Sequence, residues 1–251
     1  MNSYFDLNGK IALVTGGGRG IGLAIARGLA DCGAQVILCG RNAAVLEQAR
    51  AELGGAASTA VVDVADESSV CALRDSVAAQ FGRLDILVNN AGIDPHYASM
   101  EKTTALEWSK VLATNLDGVF HCCKHLGGLM LPAKSGAIIN ISSVAGQVAL
   151  KRQVPYCASK GGVEQLTRAL AIDWAEHNIR VNAIGYGFIK TDLTAGMTSH
   201  AHIAPRLLAR TPMGRFGEVS EVAGAAIFLA SPSASFVTGH TLMVDGGWTA
   251  A

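Results

Sequence analysis

The chain has 251 residues, of which half are apolar, 16% are charged and 29 are glycine. A chain this apolar can bury enough surface to offset its conformational entropy, which excludes disorder, and the even balance of 20 Lys+Arg against 20 Asp+Glu excludes the strong positive field of a nucleic-acid or anionic-membrane binder. No apolar run approaches the roughly 18 residues needed to cross a bilayer, and the opening MNSYFDLNGK carries no basic or long apolar leader, so a cytoplasmic protein with a small or proteinaceous partner is expected.

Short β-branched or apolar runs recur along the chain. They predict strands at Ile11 to Thr15, Gln35 to Cys39, Thr59 to Asp63, Leu84 to Asn89, Ala137 to Ser142, Ile179 to Ile184 and Thr241 to Asp245. Between them lie stretches with helical spacing, such as Ile21, Ile25 and Leu29, or Val70, Leu73, Val77 and Phe81. Strands without polar alternation belong to a sheet covered on both faces, so a three-layer, doubly wound parallel α/β domain spanning residues 1–251 is predicted. The rhythm breaks only at about 186–217, which reads as a flap near the carboxyl ends of the strands, where open α/β sheets bind ligands. The cysteines, Cys32, Cys39, Cys71, Cys122, Cys123 and Cys157, show neither C-x-x-C nor metal spacing, so reduced thiols and no metal are expected.

The first strand runs into Gly16-Gly17-Gly18-Arg19-Gly20-Ile21-Gly22. Glycines with φ > 0 ahead of a helix N-terminus let backbone N–H groups approach a pyrophosphate. About 20 residues on, an acid would bond a ribose hydroxyl, whereas this chain reads Cys39-Gly40-Arg41-Asn42. Arg41, helped by Arg19, suits a 2′-phosphate, so NADP(H) is preferred and NAD(H) remains open. Asp63 after the third strand suits an adenine amino group, although Asp also caps turns, and Asn89-Asn90-Ala91-Gly92 ends the fourth strand at the same rim.

Tyr156 and Lys160 lie four apart at the start of a helix expected from Gln153 to about Glu176, and Ser143 follows the fifth strand. A lysine cation beside a tyrosine is expected to lower its pKa and make it a proton exchanger, with Ser143 bonding a carbonyl oxygen.

The glycine loop, Asn89-Asn90-Ala91-Gly92, Ser143, Tyr156-x-x-x-Lys160, Pro212-x-Gly-Arg215 and Val244-Asp245-Gly246-Gly247 together resemble the short-chain dehydrogenase/reductases over nearly the whole chain. The resemblance implies a Rossmann fold with a seven-stranded parallel sheet, hydride transfer between a nicotinamide and a carbonyl or secondary alcohol, and a homotetramer. It implies catalytic roles for Asn115, Ser143, Tyr156 and Lys160, Asn115 holding a water in a proton relay through Lys160. It also implies cofactor contacts at Gly16, Arg19, Gly20, Ile21, Gly22, Arg41, Asp63, Val64, Asn90, Gly92, Tyr156, Lys160, Ile189 and Thr191. One departure stands out: the family usually has Pro-Gly after the sixth strand, where this chain has Tyr186-Gly187.

Candidate substrate contacts are His96, Gln147, Gln153, Tyr186 and Phe188, a mostly neutral set with no clear cation, which points to a neutral ketone or its alcohol. The resemblance leaves open sugar-acid oxidation of the gluconate type and reduction of 3-oxoacyl thioesters. Outside enzymes, the alternative is a non-catalytic NADPH sensor.

Overall fold

A computed structural model describes residues 3–251, and among them lies one parallel sheet of seven strands. The strands are β1 (Ile11–Thr15), β2 (Gln35–Gly40), β3 (Ala57–Val61), β4 (Ile86–Asn89), β5 (Gly136–Ser143), β6 (Ile179–Tyr186) and β7 (Thr241–Val244). Their spatial order is β3-β2-β1-β4-β5-β6-β7. The chain therefore reverses its direction of travel across the sheet between β1 and β4, and the crevice at that switch is where ligands bind in such folds. The predicted strands are all present. The third is displaced to an earlier start and ends at Val61, because the Asp63 carboxylate takes the Ala65 N–H at 3.1 Å and turns the chain out of the ladder.

The helices are α1 (Gly20–Asp31), α2 (Ala43–Leu53), α3 (Glu67–Phe81), α4 (Ala105–Leu112), α5 (Gly118–His125), α6 (Val154–Trp174), α7 (Ala195–Thr198), α8 (Ala204–Ala209) and α9 (Ala223–Ala230). Strands apolar at every position are explained by two cores. Successive side chains of β1 face opposite ways, Ala12 and Val14 meeting Ile25 and Leu29 of α1, and Ile11 and Leu13 joining Val70, Leu73 and Val77 of α3. Each such fully buried Ile or Leu stabilises the fold by about 1.5–3 kcal/mol.

Three of the helix starts carry side-chain caps. Asn42 caps α2, Asp66 caps α3, and Thr104 with Glu107 forms a reciprocal capping box on α4. α1, preceded by Arg19, has no side-chain cap, as is also true of α5 to α9, and its first N–H groups follow directly on the glycine loop. Between α4 and α5 the helix widens into a π-turn at Ala113–Asp117, a local insertion that turns Asn115 fully inward. The segment between β6 and β7 leaves as Gly187 and returns at Gly217, where a bridge to Ile189 closes its base. It carries α7 and α8 and is ordered by local turns rather than by the sheet.

Candidate active site

The glycine loop has the shape that a dinucleotide phosphate requires. Gly16 and Gly20 have φ of +64° and +53°, and a Cβ on Gly22 would fall 2.2 Å from the Gly16 carbonyl oxygen and 2.5 Å from Asn90 Nδ2. Asn90 and Thr15 hold this loop against the end of β4. Asn90 Nδ2 donates to the Thr15 and Gly16 carbonyls at 2.9 and 3.2 Å, and Thr15 Oγ1 accepts from the N–H groups of Asn90 and Ala91. The Asn90 side chain is thus engaged in shaping the loop. A close backbone turn and an uncapped helix start together fit a pyrophosphate.

Around this loop the other sequence-predicted cofactor residues gather. Arg41 is exposed immediately after β2, and Asp63 lies past β3 with one carboxylate oxygen in its own turn. Val64 packs over Gly118, where an added Cβ would meet it at 2.7 Å. Arg19 pairs with Asp192 at 3.6 Å, both largely exposed, so the loop reaches across to the segment between β6 and β7. Thr191 completes that contact, its Cγ2 lying 3.8 Å from where a Gly20 Cβ would be; Ile189 is buried at the segment's base and Ile21 is half-buried on α1.

Ser143 ends β5 and Tyr156 rises from the first turn of α6, and both line an open cleft of about 380 Å³. One turn along α6, Lys160 is buried, with Nζ donating 2.7 Å to the Ile141 carbonyl and lying 5.7 Å from the Tyr156 ring centroid. This arrangement corrects the expected lowering of the tyrosine pKa. Burial pushes the Tyr156 hydroxyl up to about 12, with the Ser143 hydrogen bond only partly offsetting it. Burial likewise pushes Lys160 down to about 8, against the opposing pull of Asp94. In this state Tyr156 is a neutral phenol carrying a proton to give.

Asn115 stands behind Lys160. Its Oδ1 accepts from the Ile93 N–H at 2.8 Å and its Nδ2 donates to the Ile93 carbonyl at 2.8 Å, so the carboxamide clamps the loop that follows Gly92. Its side chain is therefore occupied by the Ile93 backbone and by Ser159 Oγ, to which Nδ2 donates at 3.3 Å, rather than directed at the cleft.

The substrate wall differs from the sequence reading. Gln153 and Phe188 line the cleft as expected. His96 does not: it is 3% exposed and bonds Thr103 Oγ1 at 2.9 Å, a satisfied core histidine. Gln147 turns away to donate to Glu164. Tyr186 is 3% exposed among the apolar residues under α9, with its hydroxyl donating 2.7 Å to the Val222 carbonyl, so it packs beneath the site. Alternation along β6 sends its side chain to the α9 face and away from the cleft.

Asp94 was not found by sequence reasoning, yet it lines the cleft beside Ser143 and Tyr156. It accepts a hydrogen bond from Gln153 Nε2, and burial pushes its carboxyl up to about 6. Its only sequence signal is position, two residues past Gly92 at the same rim. Val144, Leu150, Leu193, Thr194 and Met197 complete the wall.

Known proteins share this architecture end to end. A family model of the short-chain dehydrogenase type, described as enoyl-(acyl carrier protein) reductase, matches residues 16–249. The chain is 43% identical over 251 residues to a gluconate 5-dehydrogenase of Gluconobacter oxydans, covering 98% of this chain and 96% of that one. It is 45% identical over 250 residues to an L-tagatose-forming galactitol 2-dehydrogenase of Cereibacter sphaeroides, covering 98% of both. A solved gluconate 5-dehydrogenase from Burkholderia cenocepacia, in complex with NADP and tartrate, superposes with a TM-score of 0.94 at 43% identity, covering 99% of this chain and 98% of that one.

Proposed function

The chain belongs to the short-chain dehydrogenase/reductase family of oxidoreductases, and from that membership we propose that it interconverts a neutral ketone and its secondary alcohol with NADP(H). The observation that carries this reading is the meeting of Ser143 and Tyr156 in one cleft, with buried Lys160 a helical turn behind. NADP(H), when bound, supplies or accepts the hydride at the carbon. Gly16, Gly20, Ile21 and Gly22 would hold its pyrophosphate, Arg41 and Arg19 its 2′-phosphate, and Asp63 and Val64 the adenine side. Asn90, Gly92, Lys160, Ile189 and Thr191 would hold the nicotinamide half.

The protein's own residues manage the oxygen. Ser143 donates a hydrogen bond to the carbonyl oxygen, stabilising charge as it grows there. Tyr156, held neutral by burial, gives that oxygen its proton in reduction and takes it back in oxidation. Lys160 supplies a nearby positive charge that favours the phenolate left behind. Asn115 fixes the Ile93 backbone and thereby the wall beside Lys160. The segment at about 186–217 serves as the flap that closes over the cleft, since Leu193, Thr194 and Met197 from it form part of the wall. A non-catalytic NADPH sensor would have no use for this assembled proton-transfer set.

We also propose a homotetramer. The family resemblance supports it, and Leu106 on α4 and Ile172 on α6, 78% and 79% exposed on helices that pack together, are apolar side chains a second copy would cover. A cytoplasmic location is supported by six free cysteines and by the absence, among the described residues, of a helix long and apolar enough to cross a membrane.

The test is NADPH oxidation over a panel of neutral ketones, repeated with NADH and with Tyr156→Phe. Turnover that prefers NADPH and is lost in the variant supports the reading. Tight NADPH binding with no turnover on any ketone or alcohol would overturn it.

A further inference from the structure

Asp94 places a carboxylate in a cleft where no lysine or arginine lines the wall. Its two oxygens differ. Oδ2 accepts from Gln153 Nε2, whereas Oδ1 is shut off from solvent and finds no partner in the protein. A buried acceptor without a donor is costly, so a small turn of the side chain that brings Oδ1 to a donor in the cleft is favoured.

The carboxylate is also built into place. Asn115 clamps the preceding residue, Ile93, through both backbone groups. On the other side, the Ala98 N–H donates 3.1 Å to the Arg152 carbonyl, and Arg152 has φ of +65°, a strained conformation that delivers Gln153 to Asp94. Two loops are thus tied together around this one contact. The nearest cation, Lys160, has its Nζ committed to the Ile141 carbonyl.

We propose that Asp94 determines substrate class: it selects a neutral molecule with a second hydroxyl close to the reacting carbon, a diol or hydroxyketone, over one bearing a carboxylate. The proposal rests on the carbonyl–alcohol reaction given above and names its substrate. One hydroxyl reacts between Ser143 and Tyr156 while the other donates to the Asp94 carboxylate, which turns Oδ1 out to meet it. Leu150, Phe188, Leu193 and Met197 supply an apolar surface for the carbon frame. A substrate carboxylate in the same cleft would face a like charge at Asp94. This chain therefore parts from its relative named for gluconate and sides with its relative named for galactitol.

The experiment measures NADP⁺-dependent oxidation of cyclohexanol, 1,2-cyclohexanediol and gluconate by the full protein. A hydrogen bond to a charged acceptor predicts a kcat/KM for the diol about 10- to 100-fold above that for cyclohexanol, with gluconate poorest. Asp94→Leu should bring the diol-to-cyclohexanol ratio to near one, and Asp94→Asn should raise gluconate oxidation relative to the diol. Wild-type protein gives an independent arm, should a variant not fold. Its diol-to-cyclohexanol ratio should fall as pH drops through about 6, where Asp94 takes up a proton. Lys160, Tyr156 and buried His96 also border Asp94, but the first two serve both substrates and cancel in the ratio, and His96 stays bonded to Thr103. Gluconate oxidised as well as the diol, or a ratio unmoved by both variants and pH, overturns the proposal while Tyr156-dependent cyclohexanol turnover leaves the reaction reading standing. No turnover of any of the three overturns the proposal, and the ketone panel then decides the reaction reading.

Discussion

The Tyr186 hydroxyl donates a 2.7 Å hydrogen bond to the backbone carbonyl of Val222, tying the end of β6 to the approach of α9 beneath the cleft. Tyr186 stands where the family usually has proline, and its phenol fills the space under the flap instead of facing substrate. Burial raises its pKa, so it stays a donor across the working range.

Tyr186→Phe should therefore cost stability and not turnover. It keeps the ring and removes the hydroxyl's hydrogen bond to the Val222 carbonyl, a loss of about 0.5–1.5 kcal/mol. Urea unfolding should show a lower midpoint at unchanged slope, with kcat within about twofold. A tenfold fall in kcat at normal stability would return Tyr186 to the cleft.

Gly22→Ala tests the phosphate cradle. The added Cβ would fall 2.2 Å from the Gly16 carbonyl, which is backbone and cannot swing aside. The loop must move away from Asn90, so NADPH affinity should drop by at least tenfold in a fluorescence titration, with the fold retained by circular dichroism. Unchanged affinity would mean the loop does not hold the cofactor.

Arg41→Ala addresses cofactor choice. A guanidinium paired with a 2′-phosphate is worth about 1.5–3 kcal/mol, or roughly 10- to 150-fold. KM for NADPH should rise by that order while KM for NADH stays flat. Parallel changes in both would show that Arg41 is a solvated surface charge.

Asn115→Ala removes both hydrogen bonds that fix Ile93, one from its N–H and one to its carbonyl. With Asn115 fully buried, the loss should reach about 2–4 kcal/mol in urea unfolding. Because Asp94 follows Ile93, the diol preference should weaken along with stability. Normal stability with loss of activity alone would instead favour the water-relay role suggested by the family resemblance.

Most of the sheet was legible because β-branched runs such as Ile11–Thr15 and Ile179–Ile184 admit few other readings when helices cover both faces. The positions of Ser143, Tyr156 and Lys160 followed from strand ends and a four-residue helical spacing. What sequence could not supply was direction. His96 and Gln147 stand at the right rim, yet Thr103 and Glu164, partners that no periodic pattern reveals, turn them elsewhere. The tyrosine pKa was misjudged for a similar reason, since spacing gives proximity to Lys160 but not burial, and burial dominates. Asp94 was overlooked because a lone acid in a loop carries no motif.

Asp94→Asn should make the protein more stable at neutral pH, in spite of its importance to the cleft. Burial is the largest influence on this carboxyl, exceeding the opposing hydrogen bond from Gln153 and the fields of His96 and Lys160, and the folded value of about 6 lies above that of the unfolded chain. The folded state accordingly holds the proton more tightly. The contribution of this group to stability is greatest at low pH, falls as pH rises from about 4 through about 6, and is level above that. Asparagine keeps a partner for Gln153 and never ionises. At pH 7.5 it should gain about 1–2 kcal/mol, the partial solvent access of the site having been allowed for, and the gain should shrink near pH 5. Melting curves of the two proteins at pH 5 and 7.5 decide the matter: a variant no more stable at either pH would show that the Asp94 charge is well compensated and carries no cost at rest.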